Sequence, residues 1–288
     1  MLSIGLIGDI KCLAPYFRRI QKNPEIHVIG KSSFGTKMLM DDLYYPVPEF
    51  NRIELIERCD ILLVNHFSLL PFNMIRNAIK KTTHIFAVDY PPFSKEECEE
   101  LIKLSVEAQT IFQVKNPLLY EPSLIWLNNN IKSPAFLDIS FFRQDYQLTE
   151  RLTELLLMLN IITGASPKKI DAISFQSPNV RTEFNNLRLD YGNAEIVNLN
   201  FGKQYSDEFI IKAYSKGKTA FLNFTDHSFI YNNSPIDLTP YSSSDEFDIF
   251  IENIVEKKQP ATGIDNYLSA LRTIMHIKTK LAQFYITE

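Results

Sequence analysis

Six residues near the start of the chain, Gly8-Asp9-Ile10-Lys11-Cys12-Leu13, close the short apolar run Leu2 to Ile7 and open a segment with helical spacing. A strand that turns through a glycine into a helix presents backbone N–H groups and the positive end of the helix dipole to an anion. The pattern that uses this turn for a dinucleotide is G-x-G-x-x-G. Its second glycine lets the backbone approach the pyrophosphate, and its third lets helix and strand pack closely. Of the three glycines only Gly8 is present, and Ile10 and Leu13 stand in the other two places. The spacing predicts a dinucleotide-binding turn with a weakened grip, in which Gly8, Asp9 and Ile10 lie nearest the phosphates.

A second pair of candidates, Lys31 and Ser32, follows the strand predicted over Ile26 to Ile29. An acidic residue there would hold the ribose hydroxyls of NAD, whereas a cation with a hydroxyl suits the 2′-phosphate of NADP. A solvated loop lysine is the alternative. His66 follows the strand Ile61 to Val64, either as a ligand contact or as a surface residue of a turn. Lys115 ends a core strand and offers a further cation. Glu154 has Arg151 three residues before it, so a helix-surface ion pair competes with any chemical role.

The elements that must position these residues fall into two groups. Through about residue 120, apolar runs at Leu2 to Ile7, Ile26 to Ile29, Ile61 to Val64, His84 to Val88 and Thr110 to Val114 alternate with helical segments near 12–22, 51–58, 71–81 and 94–107. The last of these helices opens on the capping box Ser94-x-x-Glu97. Such alternation predicts right-handed βαβ units and a parallel sheet covered on both faces. After a helix at about 147–163 the period changes to two. Leu187, Leu189 and Tyr191 face Val197, Leu199 and Phe201 across a turn at Gly192-Asn193. Strands follow at Phe209 to Tyr214 and Thr219 to Phe224, joined by Lys216-Gly217, with another at Phe229 to Tyr231. One helix is predicted from the box Ser243-x-x-Glu246 and another after Gly263, to cover the sheet or pack back on the first domain. Tyr241-Ser242-Ser243-Ser244 reads as an exposed loop.

Composition narrows the function classes. The 288 residues are 45% apolar and 22% charged, the balance of an ordinary globular protein large enough for two domains. A net charge of −4 without a concentrated basic stripe gives no footprint for nucleic acid or for an anionic membrane. The N-terminal apolar run is broken early by Asp9 and Lys11, and no later run approaches a membrane span, so a cytoplasmic location is expected. Cys12, Cys59 and Cys98 are single and widely spaced, and read as small apolar fillers. They and the five histidines show no spacing of metal ligands, and no metal is expected.

In order along the chain, these pieces resemble the glucose-fructose oxidoreductase, inositol dehydrogenase and MocA (Gfo/Idh/MocA) family. The resemblance is carried by the opening strand with Gly8, by Cys59-Asp60-Ile61-Leu62-Leu63-Val64-Asn65-His66, and by Val88-Asp89-Tyr90-Pro91-Pro92 with its helix. Leu119-Tyr120-Glu121-Pro122, the helix from Glu154 to Gly164 with Pro167, and the stretch from Phe247 through Lys257, Thr262, Gly263 and Leu271 extend it over nearly the whole chain. It implies a Rossmann-like parallel-sheet domain over residues 1–120. A C-terminal α+β domain on an open, mainly antiparallel sheet follows over 121–288. It further implies NADP or NAD, with Asn65, His66 and Asp89 beside the cofactor, and a small-molecule substrate; Ile10 and Leu13 in the glycine positions make the expected affinity weak. A homodimer or homotetramer built on the open sheet is also implied.

Three departures bear on chemistry. Where the family has Glu-Lys-Pro, this chain has Asp89-Tyr90-Pro91, so the lysine beside nicotinamide and substrate is replaced by Tyr90. The family's His-x-x-Asp becomes Glu154-x-x-Leu157, and an arginine becomes Leu119. Tyr90 and Glu154 are the remaining groups to handle a proton. An unperturbed tyrosine titrates near pH ~10, and a glutamate must be desolvated to hold a proton at neutral pH. The functional expectation is a divergent NAD(P)-dependent oxidoreductase. The alternative is a non-catalytic relative that keeps the scaffold for ligand sensing or assembly.

Overall fold

The computed structural model describes residues 1–34, 38–40, 43–45, 47–145, 147–176, 183–192, 194–241 and 245–284. In chain order the elements are β1 (Leu2–Asp9), α1 (Ile10–Ile20), β2 (Ile26–Phe34), β3 (Met38–Met40), β4 (Leu43–Tyr45), α2 (Arg52–Arg58), β5 (Ile61–Val64), α3 (Phe72–Lys80), β6 (His84–Ala87), α4 (Lys95–Ala108) and β7 (Phe112–Val114). There follow α5 (Pro122–Asn130), β8 (Phe136–Arg143), α6 (Leu148–Thr163), β9 (Lys169–Gln176), β10 (Glu183–Gly192), β11 (Glu195–Lys203), β12 (Glu208–Ser215), β13 (Lys218–Asn223), β14 (Ser228–Tyr231), β15 (Ser234–Pro235), α7 (Glu246–Glu256) and α8 (Ile264–Ala282). They form two compact bodies. The first is Met1–Lys115 with Asp245–Leu268, and the second is Asn116–Ser244 with Ser269–Glu288. The first body therefore stops at Lys115 rather than near 120 and takes back a C-terminal segment that includes α7.

The first body is a five-stranded parallel sheet in the order β2-β1-β5-β6-β7. Ile4, Leu6, Leu63 and Phe86 on one face pack with Leu13 and Phe17 of α1 and with Phe247, Phe250 and Ile251 of α7. On the other face a side chain at Gly5 would meet Leu55 of α2. The period-two alternation within β1 thus splits cleanly between two helical layers. α4 begins on the predicted capping box: the Glu97 N–H donates to Ser94 Oγ at 3.1 Å and the Ser94 N–H to Glu97 Oε2 at 2.8 Å. α7 starts differently from expectation. Its N-cap is Asp245, whose carboxylate accepts the Phe247 N–H at 2.9 Å; Ser242 to Ser244 lie outside the described residues.

Cys59 and Cys98 are buried and their thiols are pushed up to about 12, first by desolvation, which makes them inert fillers. Cys12 is exposed on α1 and fills nothing, against expectation. His84 is structural: its Nδ1 accepts the Ile111 N–H at 3.0 Å, and burial holds the ring below its ordinary pKa.

The second body carries an eight-stranded sheet in the order β15-β14-β13-β12-β8-β11-β10-β9, antiparallel throughout except where β8 runs parallel to β11. The Lys216-Gly217 turn takes positive φ at both residues, the geometry a two-residue hairpin needs. Gly192 also has positive φ, while Asn193 lies outside the described residues. Leu137, Ile139, Phe141, Leu187, Leu199 and Ile211 fill the inner face, and α6 is buried along most of its length. The outer face has a polar centre. Asn186 Nδ2 donates to the side-chain oxygens of Asn198 and Asn200 at 2.8 Å each, and Asn198 Nδ2 donates to Asp138 Oδ1 at 2.8 Å. Exposed Phe175, Phe184 and Ile173 sit beside this ladder. Among the described residues no helix is long and apolar enough to cross a membrane.

Candidate functional site at the carboxyl edge of the parallel sheet

β1 pairs with β2 on one side and with β5 on the other, so the strand order reverses between β1 and β5. In open parallel sheets the crevice beyond the strand ends at such a reversal is where ligands bind. Gly8, near the end of β1, and Asn65, just after β5, flank it. Gly8 has φ +132°, a conformation that favours glycine, and a side-chain carbon built on it would overlap Asn65 Oδ1. Asn65 is buried, and its Oδ1 accepts the Asp9 N–H at 2.7 Å. Its own N–H donates to the Ile7 carbonyl at 3.0 Å, tying it to the strand. Asp9 is the N-cap of α1, and its Oδ1 accepts the Lys11 N–H at 2.8 Å. Ile10 is the first residue of the helix, and Leu13, in the third-glycine position, is buried in the core.

Lys31 and Ser32 do not follow β2 but lie within it, because the strand runs on to Phe34. Lys31 is only 3% exposed, and its ammonium lies 3.4 Å from Glu49 Oε2. Its backbone bonds the segment beyond: the Lys31 N–H donates to the Pro48 carbonyl and the Phe50 N–H to the Lys31 carbonyl, each at 2.9 Å. The expectation of a loop cation is corrected accordingly. A side chain at Gly30 would overlap the Phe50 ring, so this glycine inside the strand marks close packing.

At the ends of β5 and β6, His66 is exposed ahead of a short 3₁₀ turn, Asp89 is exposed, and Tyr90 is half-buried. The Tyr90 ring lies parallel to that of Tyr267, with centroids 6.3 Å apart and planes 9° apart. The Tyr267 hydroxyl donates to the Pro91 carbonyl at 2.6 Å, which fixes the turn carrying Tyr90. Sequence reasoning missed Tyr16. This α1 residue packs against Phe86 and Phe247 with centroids 5.8 and 5.6 Å away. Burial first, then the charges of Glu246, Asp245 and Asp89, hold its phenol well above the usual tyrosine range. The Lys115 ammonium lies 6.0 Å from the centre of the Tyr16 ring. Glu246, read in the sequence only as a helix start, is buried; its Oε1 accepts from Gln113 Nε2 at 3.2 Å and from Thr262 Oγ1 at 3.4 Å. These bonds fasten α7 and the chain after it to β7.

Glu154 belongs to the second body. Its Oε2 lies 3.1 Å from Arg151 Nη1, and the two side chains are only 13% and 22% exposed, so the ion pair is a partly buried one. Burial opposes the Arg151 charge, but the hydrogen bond and charge of Glu154 outweigh it and raise the guanidinium pKa. Among the described residues no group of three or more His, Cys, Asp or Glu is arranged to hold a metal ion.

These contacts decide whether the edge suits the pyrophosphate of a dinucleotide. Two N–H groups that such a ligand would use at the start of α1 are taken by the chain's own side chains, and the Asp9 carboxylate brings a negative charge to that point. As arranged, the residues do not fit a pyrophosphate.

No protein-family model matches the chain, and no curated protein matches it in sequence. Solved structures do match in fold. UDP-N-acetylglucosamine 3-dehydrogenase from Acidithiobacillus ferrooxidans superposes with a TM-score of 0.76 over 97% of each chain at 13% identity. The dehydrogenase MviM from Clostridium difficile gives 0.74 over 96% of this chain and 99% of its own at 16% identity. The biliverdin reductase of Synechocystis sp. PCC 6803, solved with biliverdin and NADP+, gives 0.72 over 97% and 98% at 13% identity. At these identities the likeness establishes the fold, which is the two-domain arrangement implied by the Gfo/Idh/MocA resemblance.

Proposed function

We propose that the protein is a divergent nicotinamide-dependent oxidoreductase acting on a small molecule. The observation that carries this reading is the whole-length likeness to dehydrogenases and to a reductase, over about as much of their chains as of this one. NAD or NADP would enter once Asp9 and Asn65 release the two N–H groups at the start of α1, so weak affinity is part of the proposal. With Lys31 ion-paired to Glu49, its ammonium is engaged within the protein, so the preference for NADP that Lys31 suggested in the sequence is weakened. Tyr90 is the preferred proton donor, because it lies just beyond β6 in the place where the resemblance puts the family's lysine, whereas Glu154 is held by Arg151. A substrate with an imine or a conjugated double bond suits this set best, since neither requires a base to deprotonate an alcohol. With such acceptors NADPH oxidation is expected, and it should fall in Tyr90→Phe while cofactor binding persists. An unchanged rate in that variant would remove Tyr90 from the chemistry.

The second reading, a non-catalytic relative kept for ligand sensing or assembly, is favoured by one observation: two backbone donors at the start of α1, those of Asp9 and Lys11, are already satisfied internally. Silence with every acceptor, together with undetectable nucleotide binding, would favour it.

The outer face of the open sheet is proposed to join two or four copies. The exposed apolar groups Phe175, Phe184 and Ile173 would supply buried area, and the asparagine ladder would supply directional bonds. Light scattering at micromolar concentration should give a dimer or tetramer that dissociates in Phe175→Asp. A monomeric wild-type protein would end this part of the proposal.

A further inference from the structure

The cofactor implied by the fold and the residues that line its place disagree, and the disagreement has an identifiable source. We propose that Asp9 and Asn65 are selectivity residues that close the start of α1 to phosphate. The weak dinucleotide binding then arises from them, and not from Ile10 and Leu13 in the glycine positions. The proposal rests on the reading that a dinucleotide would occupy this edge.

A helix start attracts anions because its first N–H groups lack partners and the dipole favours negative charge. Here Asn65 Oδ1 takes the Asp9 N–H at 2.7 Å and Asp9 Oδ1 takes the Lys11 N–H at 2.8 Å. A phosphate taking these two N–H groups must break both bonds and share the position with a carboxylate. Asn65 is not easily moved: it is buried, its backbone is bonded to Ile7, and its side chain fills the space beside Gly8. Gly8 then has a local reason to be glycine, which is to admit Asn65. The remaining glycine of the motif serves the closure of the crevice. An ordinary N-cap explains the Asp9–Lys11 bond, but not the bridge from β5 across the strand reversal to Asp9.

Asp9→Asn separates the two roles, because asparagine caps as well as aspartate and carries no charge. NADPH and inorganic pyrophosphate would be titrated calorimetrically into wild type, Asp9→Asn, Asn65→Ala and the double variant. Hydrogen exchange of the Asp9 and Lys11 amides reports whether the edge has opened, and melting curves show that each variant is folded. Both probes should bind the double variant at least about tenfold more tightly than wild type, with faster exchange at the Asp9 amide. Asp9→Asn alone should give part of the gain. Wild type binding NADPH as tightly as the double variant would overturn the proposal and leave the oxidoreductase reading standing. A gain for NADPH without one for pyrophosphate would also overturn it. A double variant that exchanges freely yet binds neither probe would overturn it together with that reading.

Discussion

Gly8→Ala is expected to destabilise the first body by about 2–4 kcal/mol, among the largest single-residue effects in the chain. Two costs combine. The φ of +132° is strained for any residue with a side chain, and the new methyl overlaps Asn65 Oδ1, so the buried asparagine must shift and give up the Asp9 N–H. Gly164 provides the control. It also has positive φ, +67°, but a side-chain carbon there meets open space, so Gly164→Ala should cost only about 1 kcal/mol. Denaturant unfolding of both variants measures the difference. Adding Asn65→Ala to Gly8→Ala should recover part of the loss, because it removes the overlap while leaving the φ strain. Equal costs for the two glycine variants would show that the crowding by Asn65 is relieved without penalty.

Secondary alcohols of sugars and cyclitols are expected to be poor substrates with NAD+ or NADP+, even at concentrations high enough to overcome weak binding. Removing hydride from an alcohol carbon requires a base for the hydroxyl proton, and general-base assistance typically contributes about 10² to 10⁴-fold. The resemblance puts Tyr90 where the family has its lysine, and the neighbouring Asp89 is exposed. Glu154 is engaged by Arg151. The lysine and the histidine that the resemblance would supply as bases are both absent from these positions. A panel of polyols should therefore give turnover close to background, and Tyr90→Lys should raise it if Tyr90 stands where the lysine belongs. Robust oxidation of a polyol by the wild-type protein would refute that alignment.

Much of the architecture was written in local patterns. The strand–helix alternation of the first 115 residues dictated a parallel sheet because each apolar run and each amphipathic helix has one way to bury its face. The Ser94–Glu97 capping box and the Lys216-Gly217 turn fixed chain direction within a few residues, since their bonds and backbone angles are local. The strand ends that carry Gly8, Asn65, Asp89 and Tyr90 were legible for the same reason: each residue lies at the end of a recognisable strand or just beyond it.

What those residues touch was decided only by the tertiary structure. Gly8 and Asn65 are separated by more than fifty positions, and nothing in either segment announces that one side chain would seal the crevice beside the other. Lys31 looked like a loop cation until the strand continued and Glu49 paired with it. β8 sits between β11 and β12, and α7 returns to the first body through the buried bonds from Glu246 to Gln113 and Thr262. Periodicity reports which face of an element is buried, whereas partner, register and the fate of a hydrogen-bond donor depend on which distant element arrives there. A turn that reads as an anion site in sequence is therefore closed by its own fold.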